Sequence, residues 1–258
     1  MIHYFLVIFV FVLLSGIFWF SMILGQNLGL AQLKQQAAEK LEVVLVAEGA
    51  VFGLLGLLLA FTFSGAYDRY ELKKINLVEE SYTFEAAYNY IDLLPANMQS
   101  QMRDDVRLYA DWYIKAFKDT PYKSSVKRDL EHAQLIEDRI WDVAVAAAAE
   151  TNDKALAQIY IPAFTRMFDA AHRGYYLTQI HPPRIIFALL IGLAALGAFL
   201  VGYNSAENKQ KRPIHSLCYV LLTALTIYII INMEYPRLGF IGMKSFDQVL
   251  ISVRNNMT

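Results

Sequence analysis

The sequence predicts an all-α membrane protein: four transmembrane helices, and a helical bundle built from a long extension of the second span and the loop before the third. Three observations carry that prediction. Of 258 residues, 56% are hydrophobic, and the positive mean hydropathy is too high for an ordinary soluble chain. Four segments, residues 4–24, 43–66, 185–203 and 216–233, hold few charges. At about 1.5 Å per residue each is long enough to cross a hydrocarbon core of about 30 Å. Elsewhere the apolar residues recur every three or four positions and never convincingly every two.

The first span is aromatic and uncharged, with Trp19 and Phe20 near its far end as an interfacial anchor. No basic residue precedes its apolar run, which is longer than that of a secretory signal, so an uncleaved span is expected. Residues 26–41, rich in Ala, Gln, Lys and Glu, read as a helical connector into the second span. That second span carries a single charge, Glu48, and neither Gly nor Pro occurs between Ala66 and Leu94. Nothing obliges the helix to stop at the membrane surface, so one long helix is expected, half in lipid and half in water.

Residues 67–183 are the part able to form a water-soluble body. Three apolar stripes predict helices there: Val106, Tyr109, Tyr113 and Ala116; then Leu130, Ala133, Ile136, Ile140, Val143 and Ala147; then Leu156, Ile159, Ala163 and Met167. Pro95, Thr120 with Pro121, Ser124 with Ser125, and Thr151 to Asp153 separate them, and Pro162 is expected to kink or restart the last. With the extension of the second span this makes a bundle of about four helices. The domain boundaries expected are residues 1–66 for the first two spans, 67–183 for the bundle, 184–235 for the last two spans and 236–258 for a short polar tail. In the third span Ala188, Gly192, Ala195 and Gly197 suit close helix packing.

Basic residues set the orientation. Eight near the span ends (Arg69, Lys73, Lys74, Arg173, Arg184, Arg237, Lys244, Arg254) share a side with the bundle and both termini, against five in the hairpin loops (Lys34, Lys40, Lys209, Lys211, Arg212). Both termini and the bundle are therefore expected on the cytoplasmic side of the membrane. The net charge is near zero with no basic block, so no nucleic-acid partner is indicated. The lone Cys218 excludes an internal disulfide.

Along the second span Gly49, Gly53, Gly56, Ala60 and Ser64 recur at spacings of four, three, four and four on one narrow face. Such a face is a helix-packing seam, or with the neighbouring Phe52, Leu59 and Phe63 it lines an axial pore in a ring of copies. Phe61 and Phe63, near the inner end, would then form a hydrophobic constriction. Glu48, an intramembrane charge, either snorkels to the outer interface or rings a pore, where it would oppose anions. At the inner end Asp68 with Lys73, or Arg69 with Glu71, is an expected ion pair within a tyrosine-rich interface belt. For metal or catalysis the candidates are Glu79 with Glu80, Glu131 with His132, and Asp169 with His172. The last has the spacing used in di-iron bundles but lacks a second such pair. No nucleotide, zinc-protease or nucleophile-elbow motif occurs, so neither an enzyme nor a cofactor is expected, and solvated helix faces account for these residues.

GLLLAFTFSGAYDRY from Gly56, LVEES from Leu77, DLLP from Asp92, LVGY from Leu200 and NMEYPRLG from Asn232 together resemble the hallmark segments of the bestrophin-like family. The likeness covers most of the chain from about Leu41. The resemblance implies a homo-oligomeric ion channel of the bacterial inner membrane, anion-conducting and pentameric, whose second span lines the pore with an aromatic neck; Phe61 and Phe63 are assigned to it by their position near the inner end of the span. The acidic calcium-binding run of animal bestrophins has no counterpart: beyond Glu234 only Asp247 is acidic, so calcium gating is not carried over. The reading from another class is a non-conducting membrane scaffold or sensor whose bundle binds a cytoplasmic partner. Its expected partners are the lipid bilayer and further copies of itself, and inorganic ions if it conducts.

Overall fold

One α-helix, α2, runs unbroken through Leu41–Asn89 and ends in a 3-10 turn at Tyr90–Leu93. Its first half is apolar and its second half is polar, and no residue in the transition interrupts the i to i−4 ladder. The chain breaks at Pro95, which cannot continue a helix and biases Leu94 to the extended conformation it adopts. The structure, a computed structural model, describes residues 2–33, 41–118, 124–151, 153–206, 213–236 and 244–257. Its other helices are α1 (Ile2–Leu33), α3 (Ala96–Lys118), α4 (Ser124–Glu150), α5 (Lys154–Gln179), α6 (Arg184–Ser205), α7 (Pro213–Glu234) and α8 (Lys244–Asn256). No strand occurs among the described residues. α1, α2, α6 and α7 each include a stretch long and apolar enough to cross a membrane.

The chain divides into two units, Met1–Arg69 with His181–Ile241, and Tyr70–Ile180 with Gly242–Thr258. In the first, α1 lies close against α6. It outlasts the expected span end at residue 24 and continues to Leu33, while Lys34 to Lys40 of the expected connector lie outside the described residues. Glycine permits the approach. A Cβ on Gly202 would collide with the backbone of Met22, and one on Gly25 with that of Phe199. Ser21 Oγ donates to Ala195 O at 2.7 Å across the same interface. The close-packing glycines of this interface are therefore Gly25, Gly29 and Gly202, and Gly197, as expected, is buried where a Cβ would collide with Tyr219 and Phe52. Gly192, expected in that role, has nothing within 4 Å of its Cβ position, and Ala188 is exposed. The approach depends on which face meets a neighbour, and the small residues of α6 occupy more than one face.

In the second unit Phe84, Ile91, Met102, Tyr109, Ile140, Phe164 and Met167 are fully buried, each worth about 1.5–3 kcal/mol by removal from water. Phe84 stacks on Tyr109 with centroids 5.6 Å apart, and Phe168 meets Tyr109 edge-on at 5.6 Å. The α3 stripe is buried as expected. The α5 stripe is buried at Ala163 and Met167 and broadened by Tyr160, Phe164 and Ala171, while Ile159 is 45% exposed. Burying two aromatic rings outweighs burying Ile159, because large rings remove more apolar area from water. α5 passes through Pro162 without restarting. The ring is exposed, and Asp153 caps the helix by accepting from Ala155 N at 2.9 Å. Thr120 and Pro121 lie outside the described residues.

The expected short polar tail contains a further helix. Residues Lys244–Asn256 form the amphipathic α8, whose Leu250 joins the bundle core together with Met257. Arg254 clamps Asp111 of α3 through two hydrogen bonds at 2.6 and 2.7 Å, and Arg107 Nε donates to Met257 O at 3.0 Å.

Candidate functional site

At about 100° per residue, Gly49, Gly53, Gly56, Ala60 and Ser64 fall within an arc of about 80° on α2. That arc faces outward. A Cβ on Gly49, Gly53 or Gly56 would have nothing within 4 Å, and Ala60 and Ser64 are exposed. Phe61 and Phe63 flank the arc on opposite sides, 69% and 42% exposed. The opposite side of α2 is the one that buries Leu55 and Ala66. Thus the small-residue face is not consumed by packing inside the protomer.

Other candidates on the span fall elsewhere. Phe52 is half-buried, meeting Tyr219 of α7 edge-on with centroids 5.7 Å apart, and Leu59 is half-buried on the same flank. Glu48 shares the side of Leu55 and Ala66, and its carboxylate accepts from Asn204 Nδ2 of α6. It neither snorkels free nor joins the outward arc.

Where α2 leaves the apolar region, the ion pairs differ from those expected. Arg69 Nε donates to Glu234 Oε1 at 2.7 Å, and Nη2 donates to the same oxygen. Glu71 is taken by Lys74 at 2.8 Å instead. Glu234 is fully buried at the end of α7, and His181 Nδ1 approaches its other oxygen at 3.7 Å while the imidazole stacks on Tyr235 at 4.6 Å. Gly65, one turn before Arg69, leaves room for the guanidinium: a Cβ there would lie 3.2 Å from Nη1. Three separate stretches, SGAYDRY, HPP and NMEYP, thus meet at one buried carboxylate. Sequence reasoning missed Glu234. Its signal was a lone acid at the very end of an otherwise uncharged span.

The carboxylates and histidines of the bundle are dispersed. His172 pairs with Glu137 at 3.0 Å rather than with Asp169, Glu79 with Arg173 at 2.8 Å, Glu80 with Asn76, and Glu131 with Lys127 at 3.9 Å. His132 stacks on Trp112 at 4.5 Å. Among the described residues no group of three or more His, Cys, Asp or Glu could hold a metal ion. Asn76, Glu80 and Tyr113 crowd Gly174, where any side chain would displace their polar atoms.

A family model described as the Bestrophin-like domain matches residues 13–245. No curated protein matches the sequence. Among solved structures, a variant of a bacterial bestrophin homologue from Klebsiella pneumoniae superimposes with a TM-score of 0.70 at 12% identity, covering 97% of this chain and 98% of that one. The homologue solved by zinc phasing gives 0.68 at 11% identity, with 96% and 98% covered. At such identity the likeness is one of fold.

Proposed function

This chain belongs to the bestrophin-like family, and from that premise we propose that it assembles into a homo-oligomeric ion channel whose α2 arc lines the conducting path. The carrying observation is the outward arc itself: Gly49, Gly53 and Gly56 meet nothing inside the protomer, with Phe61 and Phe63 beside them. A face of small residues along the full span suits either close contact between copies or a wide path, and in a ring it supplies both. Phe61 and Phe63 repeated around the axis make an apolar collar that closes by dewetting. No acid lies on the arc, because Glu48 is turned toward Asn204, and this supports anions as the permeant species. Five is the subunit number the resemblance implies. We place the assembly in the bacterial inner membrane with the bundle inside.

Purified protein in lipid vesicles tests this. Wild type should pass anions, and Phe61→Ala or Phe63→Ala should pass them faster, because a wider collar wets more readily. Verified oligomers that carry no anion or cation flux, in wild type and both variants, would leave the scaffold reading in place of the channel.

A further inference from the structure

Of the four candidate spans, α2 is held least by apolar packing in its own protomer. Only 11% of its apolar window is buried, against 22–28% for the other three. Dispersion contacts at Leu55 and Ala66 therefore do little to choose its rotation about its own axis. A directional contact is better suited to that task than a smooth apolar one, because a guanidinium must meet its acceptor in line.

We infer that Glu234 is a positioning residue for α2: by gripping Arg69 it fixes the rotation of the helix and so turns the Gly49 to Ser64 arc outward. Three observations support it. Arg69 lies nine residues after Ala60, which at about 100° per residue puts it about half a turn away, directly behind the arc. Gly65 provides the berth in which the guanidinium lies along α2, so the side chain has a defined track rather than free sweep. The carboxylate cannot follow a rotating helix, since Glu234 is fully buried and His181, stacked on Tyr235, stands at its other oxygen. Turning α2 by one residue would drag the guanidinium about 8 Å at the radius of a helix with side chains, and both hydrogen bonds would break.

Which side chains reach the conducting path then depends on a residue that never touches it. In that respect the inference rests on the channel reading, but the rotation is measurable without it. In a Cys218→Ser background, nitroxide labels at successive α2 positions 54–64 report accessibility to a water-soluble relaxation agent, whose helical periodicity has a phase. Glu234→Gln, which removes the charge while keeping the shape, should shift that phase by tens of degrees. Arg69→Lys, which keeps the charge but not the fork, should shift it less. The doubly neutral Arg69→Gln/Glu234→Gln protein leaves no buried charge unpaired and should fold even if the single variant does not. It too should show a shifted phase. A folded Glu234→Gln or doubly neutral protein with the wild-type phase overturns the inference. Flux in the same vesicles separates the two readings: a shifted phase with no flux in any protein keeps the positioning role and removes the channel. An unshifted phase with wild-type flux does the reverse.

Discussion

His172 Nε2 lies 3.0 Å from Glu137 Oε2, joining α5 to α4 on the bundle surface. The same oxygen accepts from the Tyr109 hydroxyl at 3.2 Å, so one carboxylate ties an exposed imidazole to a fully buried tyrosine of the core. Burial first, then the Glu137 charge, holds the Tyr109 pKa well above 10, and the phenol stays a donor throughout the ordinary range. The His172 pKa is raised above 6.5, chiefly by the hydrogen bond to Glu137.

A raised folded-state pKa means the charged form is favoured by folding. The stabilisation is complete below the unfolded value near 6.5 and is lost as pH climbs through the higher folded value. Because the imidazole is 46% exposed, solvent screening reduces the effect to a few tenths of a kcal/mol, or about 1 °C in Tm. Melting of the purified protein between pH 5.5 and 8.5 should show this slope, and His172→Gln should flatten it. An equal slope in both would place the sensitivity elsewhere.

Gly202 and Gly192 sit on the same helix with opposite surroundings. Ala at 202 would press its Cβ into the Met22 backbone, which cannot yield without parting α1 from α6, so a cost of about 1–3 kcal/mol is expected. Ala at 192 enters open space and should stay within about 0.5 kcal/mol of wild type. Thermal unfolding in detergent compares them, and similar melting temperatures would contradict the α1 to α6 approach.

The C-terminal helix is held by burial more than by charge. Leu250→Ala should cost about 2–5 kcal/mol, since the side chain is 4% exposed in the bundle core. Arg254→Ala should cost less than about 1 kcal/mol, because its Asp111 partner is half exposed. Limited proteolysis should then cut α8 far sooner in the leucine variant than in the arginine one. The opposite order would make the ion pair the main clasp.

The basic residues predict which way the chain crosses the membrane. Cysteines placed for Lys123 and Gln210 in a Cys218→Ser background should differ toward an impermeant thiol reagent outside intact cells, with reaction at 210 and none at 123. Labelling at 123 alone would invert the protein.

The sequence by itself determined what repeats locally or depends on length. The four spans, the unbroken helix through Ala66, the inward stripe of α3 and the small-residue arc of α2 follow from periodicity and from the absence of breakers, which neighbouring residues specify. Tertiary structure decided what depends on pairing residues far apart in the chain. Arg69 chooses Glu234, 165 positions away, over Glu71, because a fully buried carboxylate needs a charged partner more than a half-buried one does. Glu48 turns to Asn204, 156 positions on, for the related reason that a carboxylate in an apolar span needs a donor. α5 buries Tyr160 and Phe164 beside Ala163 and Met167 and leaves Ile159 exposed, and α8 folds because its Leu250 has a core to enter. A single helix read alone carries the shape of its faces. Which face meets which neighbour is settled by desolvation, and that cost is felt only when the helices come together.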